Sequence, residues 1–253
     1  MKKFELTAES KINIFGKKLF RIKALISFGD VEEGETGGWI EKEENLEQSS
    51  GNAWVYGDAE VYGNAEVSGN AEVSGNARVS GDAWVSGDAR VYGNARVSGN
   101  AEVSGNAEVS GDAWVSGDAR VSGNARVSGN AEVSGNARVS GDAWVSGDAR
   151  VSGDARVSGN AEVYGNARVS GDARVSGNAD YTTIHGFGTQ FRTTTFFQCE
   201  DKQIRVSCGC FLGTIPEFRE QVKNTREGKI AEEYLMIADL MEKHFVKEKE
   251  SGE

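Results

Sequence analysis

The 253-residue chain is poor in the residues that most often carry chemistry. It has three cysteines, two histidines and one proline. No apolar run is long enough to span a bilayer, so membrane insertion is not expected. Met1-Lys2-Lys3 leads into mixed polar sequence, which is not an export signal. An odd cysteine count without such a signal points to reduced thiols and a cytoplasmic location. Between residues 50 and 181 there is no lysine and no histidine. That stretch has ten Arg against nine Asp, seven Glu and Asp180, a net −7 within a chain of −11. Nucleic-acid binding rests on clustered Lys and Arg that displace counterions, so this balance disfavours it.

What fills the same stretch is a repeat. Twenty-two six-residue units run from Ser50 to Tyr181, each close to Ser/Tyr-Gly-Asn/Asp-Ala-x-Val. A fixed short period is the signature of a solenoid. Ala and Val stand two apart, so in a strand both point inward while x points outward. Gly and Asn/Asp after each Val supply a tight corner. Three units close a triangular coil of 18 residues. Stacked coils pair as parallel strands about 4.8 Å apart, which gives about 7.3 coils and a prism roughly 35 Å long.

The pattern Val-Ser-Gly-Asn-Ala-x resembles the hexapeptide repeat of left-handed parallel β-helix proteins, best known as acyltransferases. Val55, Val61 and Val67 take that motif's aliphatic place, and Ala59, Ala65 and Ala71 its small one. The resemblance covers 132 of 253 residues, and the segment Gly37-Gly38-Trp39-Ile40 resembles the entry segment of uncharacterised bacterial and phage hexapeptide-repeat proteins. It implies left-handed coiling, an exception to the usual crossover preference. For an enzyme of that family it would imply a trimer, an acyl-CoA groove between prisms and a catalytic His. The chain departs from this: no unit contains His and no loop interrupts the run. His185, just past the last unit, is the one candidate general base. The expected set of cofactors is empty.

Residues 18 apart share a face. The first face reads Trp54, Glu72, Arg90, Glu108, Arg126, Trp144, Glu162, Asp180. The second reads Glu60, Arg78, Arg96, Trp114, Glu132, Arg150, Arg168. The third reads Glu66, Trp84, Glu102, Arg120, Arg138, Arg156, Arg174 and so ends in a basic stripe. Asp118, Asp154 and Asp172, each two residues before a stripe Arg, share its direction and offset part of its charge. Trp54, Trp84, Trp114 and Trp144 recur every 30 residues. Thirty is not a multiple of 18, so they jump between faces and mark tandem duplication rather than one aromatic groove. Such recent expansion fits a phage or mobile-element protein. The four Trp and the Arg120, Arg138, Arg156 and Arg174 stripe are the candidate binding residues.

The chain divides into an N-terminal β cap with an opening coil (1–49), the solenoid (50–181) and a C-terminal cap (182–253). The fold class is an all-β solenoid closed by a strand cap and a strand-plus-helix cap. In the first cap, Phe4–Leu6, Ile12–Phe15 and Leu19–Ile22 read as strands with a turn at Gly16-Lys17. Ile40 and Leu46, six apart, begin a degenerate coil that a three-residue shift separates from Val55. Trp39 belongs to the cap's core. In the last segment, Thr193–Phe197 and Ile204–Ser207 read as strands around an Asp201-Lys202 turn. Thr214-Ile215-Pro216-Glu217 is a capping box that starts a helix. A second helix spans Lys229–Lys247, with an apolar stripe of Ile230, Tyr234, Ile237, Met241 and Phe245. That stripe packs on the solenoid end or meets a second chain. Cys199, Cys208 and Cys210 with His185 make a zinc-type donor set in an unrecognised spacing, so no metal is expected.

These readings favour a non-catalytic solenoid that binds a protein or self-associates through its C-terminal helix. An acyltransferase-like enzyme using His185, and an inhibitor that sequesters a host protein or ligand, are the alternatives.

Overall fold

A computed structural model describes residues 2–245. Strands β1 (Phe4–Ile12), β2 (Lys18–Ala24) and β3 (Thr36–Ile40) open the chain. Twenty-one two-residue strands follow at six-residue steps, β4 (Trp54–Val55) to β24 (Arg174–Val175). They form three parallel stacks of seven, and one stack continues into β3, β2 and β1. Pairing joins residues 18 apart, as in Arg90↔Glu108 and Val91↔Val109. The molecule is therefore a parallel β-solenoid, and each of the three face readings from Trp54, Glu60 and Glu66 matches one stack.

Between the caps, the core of the coils is made of Val and Ala. From Val55 to Val175 the inward residues are 0–1 % exposed. The corners explain the glycines. Each repeat Gly from Gly51 to Gly171 has φ between +59° and +74°, a region that costs L-residues with a Cβ about 1–2 kcal/mol. Space is a second constraint: a Cβ on Gly117 would lie 3.0 Å from Gly135 N and 3.1 Å from its carbonyl oxygen. The next residue closes the corner to the following coil, as Asp118 N donates to Gly135 O at 2.9 Å.

The opening coil carries the expected three-residue shift. Ile40 pairs with Val61 and Leu46 with Val67, 21 residues apart instead of 18. Gly37 and Gly38 let β3 pass over the first repeat strand, since a Cβ on either would lie 2.6 Å from a side chain of that strand. With no earlier coil beneath it, the first corner needs other partners. Glu41 accepts from Gly63 N and Glu47 from Gly69 N. Hydrogen bonds from Ser50 and then Gly69 hold the Glu47 carboxyl below the usual range.

Three expectations are corrected. Ile12–Phe15 is not a strand: β1 ends at Ile12, and Asn13 folds the next residues into a turn by accepting from Phe15 N and Lys17 N. The last unit is not a coil strand either. Asn178–Asp180 forms a 3-10 turn and Ala179 is exposed. Asp180 accepts from Ser176 and Gly177 there, so it does not extend the first face. Finally, β25 (Tyr181–Phe187) and β28 (Phe211–Thr214) flank the two expected strands β26 (Arg192–Gln198) and β27 (Ile204–Cys208) in a four-stranded antiparallel sheet.

That sheet closes the solenoid. One face presents Tyr181, Phe197 and Cys199 to the Val/Ala core, while the other packs Phe196 and Val206 against the helices. Helix α1 (Ile215–Thr225) begins at the Thr214/Glu217 capping box, and α2 (Gly228–Phe245) returns beside it. The expected end of the second helix at Lys247 lies outside the described residues. Tyr234, Ile237 and Met241 are buried in the chain's own cap. The helices lie on the sheet rather than directly on the solenoid end.

Candidate functional site

Trp39 is buried, held between the Lys11 ammonium and the Arg21 guanidinium. Trp54 is outward in register but 0 % exposed, because Phe4 and Phe28 cover it edge-on. The cap removes it from the candidate binding surface. Trp84, Trp114 and Trp144 are 49 %, 45 % and 42 % exposed. Each donates its indole N–H to a serine in the preceding coil: Ser68, Ser98 and Ser128. The three rings are therefore fixed in orientation, each on a different face.

The outward charges differ between faces. On the first, Arg90 pairs with Glu72 and Arg126 with Glu108, both at 3.8 Å. On the second, Arg78 pairs with Glu60 and Arg150 with Glu132. On the third, Arg120 pairs with Glu102 and Arg174 with Glu200. Between these, Arg138 and Arg156 are direct cross-strand neighbours, and among the described residues neither forms an ion pair. Like charges in register repel, so the wall carries unspent positive charge here; on the second face Arg96 and Arg168, in register with Arg78 and Arg150, likewise form no ion pair among the described residues.

The corner carboxylates do not form ion pairs with the stripe. Asn100 donates to Asp118 Oδ1 at 2.7 Å and Asn136 to Asp154 Oδ1 at 2.9 Å, part of an Asn/Asp ladder at 18-residue steps. An Asn lies between successive Asp along each corner, except where Asp172 follows Asp154. Amide donors thus separate like charges that would otherwise stack. This spacing was available in the sequence from the choice of Asn or Asp alone. Arg174 binds the backbone at Asp154, Asp172 and Ala173, and with Arg138, Arg156, Asp154, Asp172 and Glu200 it lines one shallow groove of about 310 Å³.

His185 is an exposed residue of β25, and its Nδ1 lies 3.1 Å from Thr193 Oγ1. No carboxylate orients it among the described residues. The cysteines are not brought together. Cys199 faces the solenoid, Cys208 packs with the helix-facing cluster and Cys210 is exposed. Among the described residues no group of three or more His, Cys, Asp or Glu is placed to hold a metal. Burial, then Asp172, pushes the Cys199 thiol up to about 12, which keeps it protonated and unreactive.

Sequence reading passed over Arg192, Arg226 and Phe191. Arg192 opens β26 beside the Gly209-Cys210 turn, and a Cβ on Gly209 would lie 2.5 Å from its Nη1. The available signal was a Gly between two Cys in a strand-rich segment.

A family model described as the YdcK Beta solenoid repeat matches the chain six times, at residues 71–87, 89–104, 119–133, 131–147, 149–165 and 161–177. Its description names a repeat and no activity. No curated protein matches the chain. No helix among the described residues is long and apolar enough to cross a membrane. With six repeat matches lying along stacked parallel coils, the chain is a β-solenoid repeat protein.

Proposed function

We propose that the chain is a non-catalytic cytoplasmic binding scaffold whose third face docks an acidic protein segment. The observation that carries this is the Arg138–Arg156 pair, in register and without an ion pair among the described residues, while neighbouring arginines are matched by Glu. Arg residues and fixed aromatic rings are the usual anchors of protein interfaces, and Trp84 stands on the same face. Asp154, Asp172 and Glu200 share the groove with Arg138, Arg156 and Arg174, so the surface suits a few carboxylates rather than a long polyanion. An inhibitor that sequesters a host protein would use the same face. Self-association through α2 would use Met236 and Leu240, exposed at 70 % and 58 %, since its apolar stripe is buried at home.

The resemblance to hexapeptide-repeat proteins supports left-handed coiling as part of this reading. An acyltransferase activity gains no support from the site, because His185 has only Thr193 as a hydrogen-bond partner among the described residues. A titration of a fluorescently labelled Glu-Ser peptide tests the docking face. Arg138→Gln with Arg156→Gln should abolish salt-sensitive binding, and Arg90→Gln with Arg126→Gln should leave it unchanged. Equal losses in both variants would refute the third-face assignment.

A further inference from the structure

Three adjoining cavities surround the Gly209-Cys210 turn, where the last coil meets the C-terminal sheet. They enclose about 130, 580 and 230 Å³. Cys210 lines all three, Arg192 the first two, and Arg168 the second and third. Arg226 is added by the first cavity, His185 by the second and Arg150 by the third. Among the described residues no Asp or Glu lines any of them. In a chain of net charge −11 this is an unusual concentration of one sign.

The arginines are differently committed. Arg150 pairs with Glu132 at 3.5 Å. Arg168 donates to Gly209 O at 3.1 Å and so ties the solenoid to the turn. Arg226 donates to its neighbour's carbonyl, Thr225 O. Among the described residues neither Arg192 nor Arg226 forms an ion pair. Arg192 is packed across Gly209, whose φ of +64° and missing Cβ make room for the guanidinium. Phe191, next to Arg192, is held at φ +46° and is 66 % exposed. A bulky residue in that region stores strain, and such strain collects where a side chain is held for contact. It places an aromatic ring at the rim of the second cavity.

We propose that this recess binds a small organic phosphate that also carries a flat ring, as a nucleoside diphosphate does. Guanidinium forks match phosphate oxygens in bidentate geometry, and such charge-assisted hydrogen bonds are stronger than neutral ones. The Phe191 ring offers a stacking face for a base. Concave shape, a few convergent polar groups and aromatic lining are the ordinary features of a small-molecule site. The inference is independent of the third-face docking surface, and neither depends on the other.

Isothermal titration of the full chain with ADP and with inorganic pyrophosphate tests it. ADP should bind, and more tightly than pyrophosphate. Arg192→Ala and Arg226→Ala should each weaken both ligands about ten-fold or more, the loss expected for a charged hydrogen bond. Phe191→Ala should weaken ADP and leave pyrophosphate unchanged. Arg90→Ala, on the solenoid wall and already paired with Glu72, should leave both unchanged. Melting curves like that of the unaltered chain keep these losses from being unfolding. No heat from ADP at millimolar concentration overturns the proposal. So does equal weakening by Arg90→Ala, which would mean diffuse attraction, and so does binding of citrate in preference to both phosphates.

Discussion

Gly117→Ala should destabilise the solenoid far more than the chemically identical Gly165→Ala. Both glycines sit at repeat corners, with φ of +70° and +65°. Each substitution therefore meets the left-handed penalty of about 1–2 kcal/mol, offset by about 0.4–1 kcal/mol from a less flexible unfolded chain. The difference lies in what the new methyl meets. At Gly117 it would lie 3.0 Å from Gly135 N and 3.1 Å from Gly135 O, whereas at Gly165 nothing lies within 4 Å. Gly135 cannot retreat freely, because its carbonyl accepts from Asp118 N at 2.9 Å. Forcing one methyl into a closed space costs about 1–3 kcal/mol. A gap near 2 kcal/mol corresponds to about 4–8 °C between the two melting temperatures for a chain of this size. Circular dichroism melts read the gap, and amide exchange at Asp118 should quicken only in Gly117→Ala. Equal melting temperatures would mean that corner stacking does not require glycine for space.

Other substitutions probe separate parts of the account. Val109→Asp, placing a carboxylate where Val109 is 0 % exposed, should cost ~3 kcal/mol or more. Glu108→Gln loses only the 3.8 Å pair with Arg126 and should stay within about 0.5 kcal/mol, both variants being read by denaturant titration. Deleting residues 100–117, one full coil, should leave a single cooperative transition and the same far-UV spectrum. Deleting residues 100–102 should lower the melting temperature, because Val then falls at corners and must be taken up by a three-residue offset like that of the opening coil. Burial, first among the causes, raises both the Cys199 thiol and the Tyr181 hydroxyl to about 12, from 9.0 and 10.0. Groups with a raised folded value contribute stability below their unfolded value and lose it as pH climbs. The C-terminal sheet should therefore loosen between pH 9 and about 12 while the Val/Ala coils persist, as the near-ultraviolet signal would report. At pH 8, thiol reagents should label Cys210 and spare Cys199 until the chain unfolds.

The wall was legible because one physical demand recurs at every sixth residue. Val and Ala fill a narrow core, Gly turns the corner, and each outward residue meets its neighbour 18 positions away. The shift between Leu46 and Val55 could be counted for the same reason. The caps were less open to reading, since their contacts join residues far apart by no fixed period. Nothing near Trp54 announces that Phe4 and Phe28 fold back over it. The alternation in β26 sends Phe196 to the helices and Phe197 to the solenoid, but two-sided burial looks like a plain apolar run in sequence. Ile12–Phe15 looked like a strand on propensity, while the Asn13 side chain imposes a turn. The Arg192 and Arg226 recess lies between β26 and α1, which only the folded cap brings together.

The faces, the corner ladders and the Arg138–Arg156 stripe all depend on the 18-residue register. Electron paramagnetic resonance on a cysteine-free background with labels at Glu72→Cys and Glu162→Cys measures it most directly. The two positions share a stack and are separated by five coils, which predicts backbones about 24 Å apart and a narrow distance distribution. A broad distribution, or a mean that does not shorten by about 5 Å when residues 100–117 are removed, would contradict the register and the binding faces built on it.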